Sequence, residues 1–123
     1  MRGEKILVVD DEENCRYLFL QILTKAGYQV STAENGEEAF RLLQKETCDL
    51  ALIDIKMSPM DGFSLLRKVK KEYPRMKTIM ITAYPTPDTH TRSLELGADH
   101  CLNKPVEISE LKEVIQLTLS KNK

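Results

Sequence analysis

Ile6-Leu7-Val8-Val9-Asp10-Asp11-Glu12-Glu13 is a short apolar run that ends abruptly in acid. Four consecutive apolar residues without polar alternation suit a strand buried on both faces. Beyond it the period changes. Cys15, Leu18, Phe19, Ile22, Leu23 and Ala26 recur at helical spacing up to Gly27, a natural helix stop. The same change of period repeats down the chain. Gln29–Ala33 reads as a second strand, and Asn35-Gly36 turns the chain into a helix carrying Ala39, Phe40, Leu42 and Leu43. Residues 50–53 form a third apolar strand, and Leu66, Val69 and Tyr73 stripe a helix that stops before Pro74. Residues 78–81 read as a fourth strand, followed after Pro87 by a less apolar helix over 88–96 that ends near Gly97. Cys101-Leu102 sits in a short fifth strand. Ile108, Leu111, Val114, Ile115 and Thr118 line a last helix, and the Ser-Lys-Asn-Lys tail frays.

Strict alternation of strand and helix means a parallel sheet with right-handed crossovers, and hence helices on both of its faces. Five such units with short loops predict an α/β fold: a single flavodoxin-like (βα)5 doubly wound sheet with strand order 2-1-3-4-5. The 123 residues fit one domain, read here as 1–123. The 41% apolar share is enough for one sizeable core without disulfide or metal staples. Eighteen basic and 19 acidic residues, well mixed, give a formal charge of −1, which argues against nucleic acid as a direct partner. The three cysteines, Cys15, Cys48 and Cys101, form no CxxC pair, and with two histidines a zinc site is not expected; buried reduced thiols are. The charged start, and the lack of any run near the ~18 apolar residues of a membrane span, predict a cytoplasmic protein without a membrane partner.

What ends each apolar strand carries the functional signal. Ile-Leu-Val-Val runs into Asp10-Asp11, Leu-Ala-Leu-Ile into Asp54, Thr-Ile-Met-Ile into Thr82, and His-Cys-Leu-Asn into Lys104. Ligands of open parallel sheets sit at the carboxyl ends of the strands, where strand order reverses. In this order the reversal lies between the first and third strands. Asp10, Asp11 and Asp54 should therefore share one crevice, with Thr82 and Lys104 on its far side. Singly, each residue has a plain structural reading, as a helix cap, a turn residue or a solvated corner. Those readings would all have to hold together to explain acid, acid, hydroxyl and ammonium at one sheet edge.

Three crowded carboxylates repel, so without a cation at least one pKa should rise. A hard divalent ion relieves the repulsion, and Mg²⁺ favours one or two carboxylates, waters and a phosphate. That set suits phosphoryl transfer, in which a carboxylate can become an aspartyl phosphate. Lys104 would neutralise one phosphoryl oxygen and the Thr82 hydroxyl would hydrogen-bond another.

The motifs VVDDEE at 8–13, LALIDIKMSPMDG at 50–62, IMITAY at 79–84 and LGADHCLNKP at 96–105, with a closing amphipathic helix, resemble the receiver domains of two-component response regulators. The likeness covers about residues 4–120 and extends both to stand-alone phosphorelay receivers and to receivers of some transcriptional activators. It implies Asp54 as phosphoacceptor, with Mg²⁺ (Mn²⁺ as a substitute) held by Asp10, Asp11, Asp54 and the Lys56 carbonyl, Asp11 contacting the ion more directly than Asp10. It implies Thr82 and Lys104 as phosphoryl-binding residues, a cis Lys104–Pro105 peptide, and a phosphohistidine donor on a histidine kinase or histidine phosphotransfer protein. Such a chain promotes its own phosphorylation and dephosphorylation but is not a turnover enzyme on external substrates. Its output would go to a downstream protein target, an attached output domain or a second copy of the chain.

Two positions depart from the family pattern. The proline of the loop stands one place late, at Pro59, and Cys101 occupies the place usually held by a switching Tyr or Phe. A thiol is too small for that exchange of inward and outward positions, so Cys101 is expected as a small buried hydrophobe in a central strand, the alternatives being Tyr84 or His100 as the substitute ring or the thiol itself as a redox sensor. Lys56 and Tyr84, each two residues past a site residue, are expected to overhang the phosphoryl group and set its lifetime. The thin stripe of the fourth helix, with Pro85 and Pro87 before it, makes the surface of that helix, the fifth strand and the last helix the expected signalling face. Rival readings fare worse. A haloacid-dehalogenase-type hydrolase needs an acid where Lys56 stands, and a flavin carrier needs a phosphate loop where Asp10 and Asp11 stand. An interaction module independent of phosphorylation would have no need of all five site residues.

Overall fold

A computed structural model describes residues 3–57 and 60–120. Five strands and five helices alternate: β1 (Lys5–Val9), α1 (Glu13–Lys25), β2 (Gln29–Ala33), α2 (Gly36–Lys45), β3 (Leu50–Asp54), α3 (Gly62–Glu72), β4 (Lys77–Thr82), α4 (Pro87–Glu95), β5 (His100–Asn103) and α5 (Ile108–Ser120). All strand pairs are parallel and the order is β2-β1-β3-β4-β5, as expected. The displaced Pro59 lies outside the described residues, as do the last three residues of the tail.

The apolar runs are explained by two cores. Ile6 and Val8 of β1 join Leu50, Leu52, Ile79 and Ile81 beneath Phe19 and Leu23 of α1 and Leu111 and Ile115 of α5. Their neighbours Leu7 and Val9 point the other way, to Ala51, Ile53 and Met80 beneath Ala39 and Leu43 of α2 and Leu66 and Val69 of α3. A strand whose successive side chains enter different cores must be apolar at every position. The edge strand β2 has one buried residue, Ala33, and carries polar residues between.

Local signals set the element ends. Asn35 caps α2 by accepting from the Glu38 amide at 2.8 Å, and Asp61 caps α3 from Ser64 at the same distance. Thr86 and Thr89 form a reciprocal box at the start of α4, with Pro87 at its first turn. Gly27 and Gly97 take the left-handed conformation just past α1 and α4, with φ of 103° and 105°. Several strands run one residue further than apolarity alone suggests. Asp54 belongs to β3 because the Ile55 amide still donates to Ile81, at 2.9 Å.

Cysteine placement differs from expectation. All three thiols are free, but each is only partly buried. Cys101 is not in a central strand: β5 is the sheet edge, so only β4 flanks it, and the thiol packs against the core of the α2–α3 face.

Gly62 ties this scaffold to the end of β3. Its amide donates to the Ile55 carbonyl at 2.7 Å. A Cβ there would lie 2.4 Å from the Asp54 carbonyl oxygen and 2.6 Å from Ile55 Cα, both backbone atoms that cannot swing aside. Gly62→Ala is therefore expected to lower stability by about 1–3 kcal/mol. A urea unfolding midpoint equal to that of the parent chain would contradict this close approach.

Candidate functional site

Asp10 follows the last residue of β1, and its amide still donates to Ala33 at 3.1 Å, which fixes the turn into α1. Both of its carboxylate oxygens are engaged. Oδ1 accepts from the Glu12 amide at 2.9 Å and Oδ2 from Lys104 Nζ at 3.0 Å. Arg16, one turn into α1, donates from Nη1 to the Asp10 carbonyl at 2.8 Å and braces the same turn. Asp10 and Asp54 are almost wholly buried, at 2% and 6% exposure, whereas Asp11 is exposed. Carboxylate oxygens of these three residues lie within 4.8 Å of one another.

Lys104 enters from the opposite side of the crevice. The peptide after it is cis, and its amide donates to the Thr82 carbonyl at 2.8 Å, continuing the β4–β5 ladder by one step. Its ammonium lies 3.7 Å from Asp54 Oδ2 and 4.0 Å from Glu12 Oε1. A cavity of about 330 Å³ opens above, lined by Asp11, Glu12, Asp54, Lys56, Ala83, Tyr84 and Lys104. Thr82 is buried at the end of β4, and its hydroxyl accepts from the Tyr84 amide at 3.0 Å. Lys56 and Tyr84 meet at the rim, with Nζ 4.6 Å from the ring centroid.

The electrostatics follow from this crowding. Burial first, and then the neighbouring Asp10 charge, push the Asp54 carboxyl up to about 6; Lys104 and the Lys56 amide oppose the rise. Burial alone would lower the Lys104 pKa, but its hydrogen bond to Asp10 and the charges of Asp54 and Asp10 outweigh that, and the net shift is upward. Lys104, with Lys56 at the rim, thus faces the carboxylates of Asp10, Asp11, Glu12 and Asp54, an arrangement suited to a further cation and to an incoming anion bound between it and Lys104.

A family model described as the response regulator receiver domain matches residues 6–116. The chain belongs to that family. Receiver domains are the phosphorylation-dependent signalling elements of two-component response regulators. This receiver domain is 38% identical over 116 residues to sporulation initiation phosphotransferase F of Bacillus subtilis, covering 94% of each chain. It is also 34% identical to the DNA-binding transcriptional regulator NtrC of Escherichia coli, and there it spans 24% of that protein. It spans 47% of the ycf27 regulator of Cyanidium caldarium, at 39% identity. Among solved structures, a receiver domain protein from Methanospirillum hungatei superposes with a TM-score of 0.92 at 38% identity, covering 96% of this chain and 94% of that one. Chemotaxis protein CheY4 of Vibrio cholerae gives 0.90 at 30%, covering 94% and 98%.

The receiver fold brings together Asp10, Asp11, Asp54 and Lys104, sets Thr82 at the adjoining strand end, and pairs Lys56 with Tyr84. Cys101 is absent from this cavity. Three contributors were not foreseen. Glu12 lines the cavity, and its signal was the acidic run itself. Arg16 acts through a backbone carbonyl six residues back, which no spacing rule reveals. Cys15 lies 3.8 Å from Lys104 Nζ and 3.2 Å from Glu12 Oε1, and forms a second close group with Asp10 and Glu12. Burial and the Glu12 contact push its thiol up to about 11, so it is protonated. Among the described residues no helix is long and apolar enough to cross a membrane.

A pH signature follows. The Asp54 carboxyl titrates near 3.8 when unperturbed and near 6 in the fold, so the folded chain holds that proton more tightly and loses stability as pH rises from about 4 to 6. Asp54→Asn lacks this penalty. In chelator-treated buffer its urea midpoint should overtake that of the parent chain through this window and hold a constant lead above it. A difference independent of pH would show that Asp54 is not the strained carboxylate.

Proposed function

We propose that Asp54 accepts a phosphoryl group from a phosphohistidine on a histidine kinase or phosphotransfer protein, with Mg²⁺ held by Asp10, Asp11, Asp54 and the Lys56 carbonyl. The observation that carries this reading is the buried Asp54 carboxylate at the end of β3, within 4.8 Å of two other acids and 3.7 Å from Lys104. The donor set fits a hard divalent cation: it is all oxygen, it carries excess negative charge, and the Asp54 pKa is raised without one. When bound, Mg²⁺ neutralises the carboxylates and screens the phosphoryl oxygens.

The chain's own groups do the rest. An Asp54 oxygen attacks phosphorus in line, forming an O–P bond as the P–N bond breaks, and the electron pair leaves with the donor imidazole. Lys104 exchanges its Asp10 oxygen for a phosphoryl oxygen, a short movement given its present 3.0 Å and 3.7 Å contacts. The Thr82 hydroxyl turns from the Tyr84 amide to the same group. Lys56 and Tyr84, in contact at the rim, cover the product and hinder an in-line water. Beside the site, an apolar groove of about 450 Å³ runs past Leu18, Phe19, Ile22, Pro105, Val106 and Ile108, and gives a protein donor a place to rest. The output face is α4, β5 and α5, offered to a downstream protein, an attached output domain or a second copy. Its support is the weak docking of α4, whose buried residue among those described is Ser93.

After incubation with acetyl phosphate and Mg²⁺, intact mass should show one phosphoryl group on the parent chain and none on Asp54→Ala or in chelator. Equal labelling of both proteins would favour a module that works without phosphorylation. Asp11→Ala should weaken Mg²⁺ binding by about tenfold, and more than Asp10→Ala, because both Asp10 oxygens are already engaged. A weaker Asp10 variant would reverse these roles.

Lifetime gives a separate check. Lys56→Ala and Tyr84→Ala should each speed loss of the phosphoryl group by more than about twofold, and the double variant by little more, since the two side chains act as one cover. Parent-like rates in both single variants would make them ordinary surface residues.

A further inference from the structure

A phosphoryl group on Asp54 can alter the output face only if something connects the site to α4. The aromatic candidates do not serve. Tyr84 is 64% exposed, with its ring under the Lys56 ammonium at the rim. His100 lies, by strand alternation, on the Leu102 face of β5, beneath α5. Cys101 faces the α4 side but carries only a thiol, whose pKa burial raises and the nearby Ser93 hydroxyl of α4 lowers in part.

Among the described residues one further side-chain hydrogen bond joins α4 to β5. His90 Nε2 lies 2.7 Å from Asn103 Oδ1. Asn103 is the residue before Lys104, and it pairs with Thr82 in the β4–β5 ladder, so it touches both phosphoryl-binding positions through the backbone. The rest of α4 is lightly held. Ser93 is buried but donates within its own helix, to the Thr89 carbonyl at 2.7 Å. Leu94 is 55% exposed, and Arg92 rests over the Phe63 ring at 4.4 Å. The contact is solvent-exposed, so its weight comes from how little apolar surface α4 buries beside it.

We propose that His90 is a positioning residue whose hydrogen bond to Asn103 latches α4 to the end of β5, so that movement of Lys104 toward a phosphoryl group is passed to α4. The proposal rests on the reading of Asp54 as phosphoacceptor. In the resting chain the latch holds α4 down. Because the Lys104 amide is held on the Thr82 carbonyl and Thr82 pairs with Asn103, a shift of these strand ends toward the phosphoryl group moves Asn103 with them and stretches the His90 contact.

The test is amide hydrogen exchange of α4 in the full chain, with and without beryllium trifluoride as the phosphoryl mimic, alongside intact mass after acetyl phosphate. Without the mimic, His90→Ala and Asn103→Ala should each speed α4 exchange by about fivefold, the effect of one hydrogen bond. The double variant should match either single one, and His90→Gln, which keeps a donor in reach of Asn103, should restore protection. The mimic should speed α4 exchange in the parent chain and add little in the two alanine variants. Labelling of Asp54 should stay normal in all of them. Exchange within twofold of the parent in both alanine variants, additive losses in the double variant, or an undiminished response of His90→Ala to the mimic overturns the latch while leaving the phosphoacceptor intact. A parent chain that takes no phosphoryl group on Asp54 overturns both.

Discussion

Lys104 stands between two buried carboxylates, 3.0 Å from Asp10 and 3.7 Å from Asp54, and much of the remaining architecture serves to keep it there. Burying two acids is costly unless their charge is met, and one ammonium cannot meet the charge of both together with Asp11. Burial first, and the unmet Asp10 charge after it, hold the Asp54 pKa up. A site of this kind is stable enough to fold yet unsatisfied, which is the condition for binding a cation and an anion together. The parallel sheet makes it feasible, because strand order reverses between β1 and β3 and leaves their carboxyl ends beside an uncovered crevice.

The helices are held to this sheet with unequal strength. α1 buries Phe19 and Leu23, and α3 buries Phe63, Leu65, Leu66 and Val69. Each such side chain is worth about 1.5–3 kcal/mol when fully withdrawn from water. α4 has a serine in that position. The difference decides which element can move without unfolding the rest: a helix fixed by hydrogen bonds can exchange them, whereas one fixed by a packed core cannot be shifted without opening cavities. The well-formed cap of α4, with Thr86, Thr89 and Pro87, fixes its first turn independently of its seating on the sheet. The body is thus intact but loosely seated.

Much of this was legible beforehand because the physics that sets it is local. Apolar runs of four or five residues, alternating with 3.6-residue stripes, determined five parallel strands and five helices, and the commonest sheet order for such a chain is the one found. The polar residue closing each run then determined Asp10, Asp11, Asp54, Thr82 and Lys104, since a doubly wound sheet sends all its strand ends to one edge. Tertiary structure alone decided the rest. The expected strand order already put β5 at the sheet edge, so a central place for Cys101 conflicted with that order; what the fold alone decided is that the thiol is only partly buried there. It brought Arg16 to the Asp10 carbonyl, Cys15 to Lys104, and His90 to Asn103 across 13 residues. Those contacts depend on how far each helix is rotated over the sheet, which is fixed by packing of both cores at once rather than by any one segment.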